Sequence, residues 1–255
     1  MSISHVRVRW ALPASLLVAV IAAIWLPADW LRLLDIVGNA VCHRISERSF
    51  FVAGRQLPLC ARDTGMFSTA LLGLLYFSFT LRQPAADPPR RPFIFLFTAF
   101  FLVWAFDGFN SYWVLLTGQT LFYPPQNWLR LTTGTGMGLT LCLLAVSLTN
   151  QILWPGSARM PLVASWREMA RLLLIAASVI VLFSWRPDPL YGPLALISGL
   201  GVLTMLTLAN SLLAVIMLRR QGQINRLGLP LLIGATLTIA EIAAINLLRA
   251  MLIGL

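Results

Sequence analysis

The sequence predicts an all-α, polytopic membrane helix bundle, with about seven transmembrane helices, one interfacial amphipathic helix and a short hairpin. Three observations predict it. Of 255 residues, 58% are hydrophobic and only 11% charged, against roughly 25% charged in an average soluble domain. The uncharged residues gather in stretches close to the roughly 20 residues a spanning helix needs. The 19 cations are all arginine, and they fall between these stretches. So few charges cannot cover the surface of a water-facing fold of this length, which excludes a soluble globular enzyme. Disordered and disulfide-scaffold classes are excluded too, since apolar content is high and there are 3 cysteines.

The uncharged windows in order are Trp10–Ala28, Thr64–Leu81, Pro92–Leu115 (broken by Asp107), Leu131–Trp154, Leu172–Trp185, Pro189–Leu218 and Leu227–Leu255 (broken by Glu241 and Arg249). The first follows Arg7 and Arg9 like a signal peptide. It is longer than the roughly 7–15 residues of a signal h-region and lacks a small-residue cleavage site, so it reads as a retained helix. The fifth reaches full length only if Trp166–Arg171 forms its first turn, with the arginines extending toward headgroups. No internal repeat, low-complexity tract or second domain interrupts the chain, so residues 1–255 read as a single integral membrane domain.

Orientation follows from the arginines. With the N-terminus cytoplasmic, the inner segments hold Arg7, Arg9, Arg82, Arg90, Arg91, Arg159, Arg167, Arg171, Arg219, Arg220 and Arg226. The outer segments hold the other eight (Arg32, Arg44, Arg48, Arg55, Arg62, Arg130, Arg186 and Arg249). The positive-inside rule favours this arrangement in a cytoplasmic (plasma) membrane. The net charge of +10 is then explained by anionic lipids and topology, and nucleic-acid binding is not expected.

The long segment Asp29–Asp63 lies between the first two windows. Trp30, Leu33, Leu34, Val37 and Val41 recur at helical spacing, while Arg32, Asp35, Asn39 and His43 fall largely on the other face. That pattern predicts an amphipathic helix in the outer interface. Ser49–Leu59 reads as a hairpin around Ala53-Gly54 that carries Cys60 back toward Cys42.

Chemistry concentrates in this segment. Thiolate, imidazole and carboxylate are all zinc ligands, so Cys42, His43, Cys60 and Asp63 could close a tetrahedral metal site or leave one position open for water. On an oxidising face Cys42 and Cys60 could instead pair as a disulfide, or remain free thiols. Cys142, alone in the fourth window, reads as packing. His5 reads as a solvent-exposed N-terminal residue, and with His43 the only other histidine, bis-histidine haem within the membrane is not expected. No phosphate-cradling glycine loop or nucleophile elbow is present.

Charges inside the windows form a second signal. Asp107, Glu241 and Arg249 each cost about 2.5–3.5 kcal/mol at a helix centre unless paired or wetted. Asn110 and Ser111 share a helical face with Asp107, and Asn127 and Arg130 open the fourth window. Under the N-in topology Asp63, Asp107, Arg130 and Arg249 fall in the outer half of the membrane, with Glu241 near the middle, which suggests one pocket. The structural alternative is a pair of ion pairs, Asp107–Arg130 and Glu241–Arg249. In the pocket reading Asp107, Arg130, Arg62 and Glu241 are candidate catalytic groups. Arg44, Arg48, Asn110, Asn127 and Arg249 would hold an anionic substrate. Gly134 and Gly138 give the fourth helix a close-packing face.

The motifs Cys42-His43, Arg48-Ser49-Phe50, Gly54, Pro58-Leu59-Cys60-Ala61-Arg62, Thr64-Gly65, Asp107-Gly108, Asn127, Arg130 and Gly134 resemble a family of predicted prokaryotic membrane proteins, domain of unknown function 2085. The resemblance covers roughly residues 40–138. Many members carry a further cysteine where this chain has Asp63. The family implies no activity. Three readings stay open: an enzyme with a metal or Cys/His/Asp centre acting on a lipid-linked or anionic substrate; a transporter or lipid-binding protein; and a structural subunit of a membrane complex.

Overall fold

The structure is a computed structural model that describes residues 31–80, 85–154, 158–222 and 228–253. The first uncharged window, Trp10–Ala28, and the arginines before it lie outside the described residues. The described chain runs α1 (Leu31–Val41), a 3-10 turn (Ser46–Arg48), β1 (Ser49–Val52), β2 (Arg55–Cys60), α2 (Ala61–Thr80) and β3 (Ala85–Asp87). It continues with α3 (Arg91–Thr117), α4 (Asn127–Leu153), β4 (Ala158–Pro161) and α5 (Trp166–Trp185), and ends with α6 (Tyr191–Met217) and α7 (Gly228–Ile253).

Among the described residues, 5 helices (α3 to α7) are long and apolar enough to cross a membrane. Seven spans are therefore not what the described chain displays. The window Thr64–Leu81 does form a helix, α2, but its Arg62, Asp63, Thr64, Ser68 and Thr69 dilute its apolar character. Protein surrounds it, since α4, α5 and α6 all pack against it. By contrast α3 and α7 bury only 17% of their most apolar windows. The polar helix sits at the centre and the apolar ones at the rim, as expected where lipid is the outer solvent.

Local sequence explains the boundaries. α5 begins at Trp166 because Ser165 Oγ accepts from the Glu168 N–H while Glu168 Oε2 accepts from the Ser165 N–H. This capping box supplies the extra turn that Leu172–Trp185 needed. The hairpin turns at Ala53 (φ 49°) and Gly54 (φ 74°), two left-handed residues that suit a two-residue turn between twisted strands. Its strands pair Ser49 with Cys60 and Val52 with Arg55. A second two-stranded sheet, β3 beside β4 in parallel, lies at the opposite end of the bundle.

The amphipathic helix α1 is rotated from its predicted face. Leu31, Leu34, Val37 and Gly38 point inward, whereas Leu33 is 64% exposed. The reason is Gly38, which lies against β2 so closely that a Cβ there would fall 1.9 Å from the Pro58 carbonyl oxygen. α1 also packs on α6 and α7.

A glycine seam joins α2 to α4. A Cβ at Gly134 would sit 2.0 Å from the Arg62 carbonyl oxygen, one at Gly138 2.3 Å from that of Met66, and one at Gly65 2.4 Å from that of Leu131. Backbone meets backbone, as small residues permit between membrane helices. This crossing sets the relative height of Arg62 and Arg130. Below it, a core of Phe77, Phe93, Phe97, Leu139 and Leu172 fills the other half of the bundle.

Candidate functional site

The site lies at the hairpin end, where α2 and α4 begin and α3 ends. Asp107 is 1% exposed and fully engaged. Its Oδ2 accepts from Arg62 Nε at 3.1 Å, from Arg62 Nη2, and from Thr133 Oγ1 at 3.3 Å. Its Oδ1 accepts from Tyr123 OH at 2.8 Å. Arg62 Nη2 also donates to the Asp107 carbonyl oxygen and to Ser111 Oγ. In place of the Asp107–Arg130 ion pair of the structural alternative the fold forms Asp107–Arg62, because the α2–α4 seam brings the first turn of α2 over α3.

Arg130, 5% exposed, is held by neutral acceptors: Nη1 on Asn127 Oδ1 at 2.9 Å and Nε on Ser111 Oγ at 3.5 Å. Asn127 in turn donates to the carbonyl oxygens of Glu47 and Ser49, tying α4 to the hairpin. Arg48 Nη2 donates to the Ser111 carbonyl oxygen at 3.1 Å. Ser111 therefore anchors three guanidinium groups at one point. Burial and the charge of Arg62 hold Arg48 below its ordinary pKa.

Beside these arginines, one ligand atom each from Cys42, His43 and Cys60 lie within 4.8 Å of one another. The hairpin makes this possible: the Cys60 N–H donates to Cys42 Sγ at 3.2 Å. Both thiols are buried and free. Asp63 does not join the group as a fourth donor; its Oδ2 accepts instead from Cys60 Sγ at 3.2 Å. The Cys42 thiol, burial and the Asp63 charge push the Cys60 thiol well above its ordinary range. The inner side of His43 is desolvated, which lowers its pKa; Asp63 opposes this, and Arg48, Arg130 and Arg62 reinforce it. A neutral imidazole is the form that binds metal. Its Nδ1 accepts the Ile45 N–H at 3.1 Å.

The other predicted site residues are held elsewhere. Arg44 bonds Asp35 Oδ1 at 2.8 Å and Asn39 Oδ1 at 3.0 Å, and Arg55 takes the second Asp35 oxygen. Arg249 Nη1 donates to the carbonyl oxygens of Asn39 and Cys42, so it braces the loop that carries Cys42. Asn110 clasps the α3–α4 loop, accepting from the Phe122 N–H and donating to the Tyr123 carbonyl oxygen. Glu241 is exposed on α7 and accepts from Asn210 Nδ2 of α6 at 2.9 Å. Neither it nor Arg249 touches Asp107, and the predicted Glu241–Arg249 pair does not form. Tyr123, Thr133 and Asp35 carry contacts that the sequence did not single out. The signal available for Tyr123 was its position before Pro124-Pro125 in a loop that must close against α3.

The family described as "Predicted membrane protein (DUF2085)" matches residues 42–144. An uncharacterized protein of Methanothermobacter thermautotrophicus is 31% identical over 114 residues, which are 44% of this chain and 91% of that protein. The chain belongs to the DUF2085 family. An uncharacterized protein of Methanocaldococcus jannaschii is 35% identical over 60 residues, 24% of this chain. The chain spans 38% of the length of that relative. No solved structure matches. The DUF2085 match opens at Cys42 and ends within α4, so it contains the Cys42–His43–Cys60 group, Arg48, Arg62, Asp107 and Arg130. Glu241 and Arg249 fall outside it.

Proposed function

We propose that this membrane protein holds a zinc ion at Cys42, His43 and Cys60 and uses that centre on an anionic substrate, lipid-linked or small and soluble. The observation that carries the reading is the approach of the three ligand atoms to within 4.8 Å of one another. A tetrahedron built on metal–ligand bonds of about 2.0–2.3 Å needs separations of roughly 3.3–3.8 Å, so a contraction of about 1 Å suffices. Two thiols and an imidazole suit zinc. Bound there with a fourth position open, zinc supplies a Lewis acid and an acidified water.

The protein's own groups prepare the site. His43 is kept neutral, and Asp63 stands where it can take the proton that Cys60 must lose. Asp107, with its lone pairs engaged by Arg62, Tyr123 and Thr133, acts as a positioning residue rather than as a base. Glu241 plays no part in the centre. A transport path lined jointly by Asp107, Arg130, Glu241 and Arg249 gains no support, because the last two bond to α6 and to loop carbonyls.

We place the hairpin end on the extracytoplasmic side of the plasma membrane. The arginine count supports this placement, since the segments on the other side hold eleven arginines and those on the hairpin side eight. Elemental analysis of the purified full chain, combined with thiol titration, tests the zinc reading. The expected result is about one zinc per chain, with two thiols that become reactive only after chelation. Absence of metal, with Cys42 and Cys60 either freely titrating or disulfide-bonded, overturns it.

A further inference from the structure

We infer that Arg48 and Arg130, aligned by Ser111 beside His43, form a binding site for a phosphate monoester dianion. This deepens the reading that the hairpin-end pocket takes an anion, but it needs no metal.

Charge matching is the first argument. Arg48, Arg62 and Arg130 converge on Ser111. Of these, only Arg62 has a carboxylate within ion-pair distance among the described residues. Asp107 is committed to Arg62, Thr133 and Tyr123 and lies within ion-pair distance of neither Arg48 nor Arg130. Asp63 keeps its charge on the Cys60 side, where Oδ2 accepts from Cys60 Sγ, and makes no ion pair with Arg48 or Arg130. Arg130 is thus a nearly buried guanidinium resting on an amide oxygen and a hydroxyl, next to a second unmatched guanidinium. Such groups repel each other and lose hydration, so the arrangement calls for an anion that touches both.

Donor geometry chooses the class. A guanidinium presents a planar fork that matches two oxygens of a carboxylate or phosphate. A carboxylate satisfies one fork and carries one charge. A phosphate monoester carries close to two charges at neutral pH and three terminal oxygens, so it can face two forks at once. The positions are also built rather than incidental: Asn127 holds Arg130 from one side and reaches the hairpin carbonyls that precede and follow Arg48. The source is either a free phosphate compound or a lipid with a monoester headgroup.

The test uses the full chain in phosphatidylcholine nanodiscs after chelator treatment, with unfolding followed by tryptophan fluorescence. One arm adds inorganic phosphate against chloride at matched ionic strength. The other builds the nanodiscs with phosphatidic acid or, as the phosphodiester control, phosphatidylglycerol. A saturable rise in Tm with phosphate identifies a soluble ligand; a rise with phosphatidic acid beyond that with phosphatidylglycerol identifies a lipid one. Either supports the site, provided R48Q and R130Q each weaken the effect by about tenfold, the loss of one charge-assisted contact. R48Q keeps the test informative if R130Q does not fold, because Arg48 is only half-buried and makes a single bond to Ser111. R32Q, on the exposed face of α1, is expected to leave binding unchanged. No saturable response in either arm, or the same response in R48Q and the wild type, overturns the site. Phosphate binding by a chain whose elemental analysis before chelation finds no zinc supports the site and removes only the zinc reading. A chain purified with zinc that is indifferent to both phosphate sources once chelated removes the site alone.

Discussion

Asp107 and Glu241 are the same kind of signal in the sequence, an acid inside an apolar window, and the fold treats them in opposite ways. Asp107 is closed off from solvent and lipid and accepts from Arg62, Tyr123 and Thr133. Glu241 lies on the exposed side of α7 and accepts from one amide, that of Asn210. The difference comes from the helices that carry them. The end of α3 faces the first turns of α2 and α4, where the glycine seam delivers Arg62 and Thr133. Most of α7 faces outward and meets α6 along a narrow strip at Gly234, whose Cβ would fall 2.4 Å from the Thr207 carbonyl oxygen. The cost of a charge in a membrane says that a partner is required; only the neighbouring helix decides which partner is within reach.

The comparison predicts its largest effect at Asp107. D107A leaves the Arg62 guanidinium buried without a carboxylate, and such losses cost about 3–5 kcal/mol. Unfolding of the purified chain in detergent is expected to show a large fall in stability. In a double-mutant cycle with R62A, the two changes are expected to be strongly non-additive. Additive effects would mean that the pair does not act as a unit.

Tyr123 comes next. Y123F removes one donor to a carboxylate, worth about 1.5–3 kcal/mol. Burial, the hydrogen bond to Asp107 and the Asp107 charge raise the Tyr123 hydroxyl to about 12, against about 10 in the unfolded chain. The folded state holds this proton more tightly, so the contribution is complete below pH of about 10 and is lost as pH rises toward about 12. The stability gap between wild type and Y123F should be flat through neutral pH and close above pH of about 10. A gap that opens with rising pH would contradict the assigned donor.

G134A tests what brings the two halves of the ion pair together. Its Cβ meets a backbone carbonyl at 2.0 Å, which cannot yield without moving α2 against α4, and overpacking of this kind costs about 1–3 kcal/mol. G136A, whose Cβ meets the Phe100 ring at 3.1 Å, is expected to cost less because a side chain can turn aside. Equal effects would show that the seam at Gly134 is no tighter than ordinary packing.

Much of this architecture was legible residue by residue. The length that Leu172–Trp185 lacked announced the start of α5 at Trp166, Ala53-Gly54 the hairpin turn, and the hairpin the meeting of Cys60 with Cys42. Asp107, Arg62 and Arg130 were recognisable as parts of one polar region. Their pairing was not, because it depends on the relative height of α2 and α4, which is set by backbone contacts at Gly65, Gly134 and Gly138 rather than by either helix alone. Tyr123 carried only the signal of its place before Pro124-Pro125 for a similar reason: a loop tyrosine gains its role only when Asn110 pins the loop to α3. The rotation of α1 followed from Gly38 against Pro58, a contact with no periodic signature.

Glu241 carries the smallest expected effect, and it decides whether the contrast holds. E241Q keeps an oxygen that can accept from Asn210 Nδ2 while removing the charge. Interhelical hydrogen bonds in membranes average about 0.6 kcal/mol, so the stability of E241Q should stay within about that amount of the wild type. N210L removes the donor and the neighbouring bond to Thr238 Oγ1 at 3.1 Å, and should cost somewhat more. Zinc content and phosphate response should be unchanged in both variants, since α7 reaches the loop that carries Cys42 through Arg249 and not through Glu241. A loss in E241Q approaching that of D107A would mean that the carboxylate meets a strong partner on its exposed side. The two acids would then be alike in needing a buried cation and would differ only in which chain supplies it.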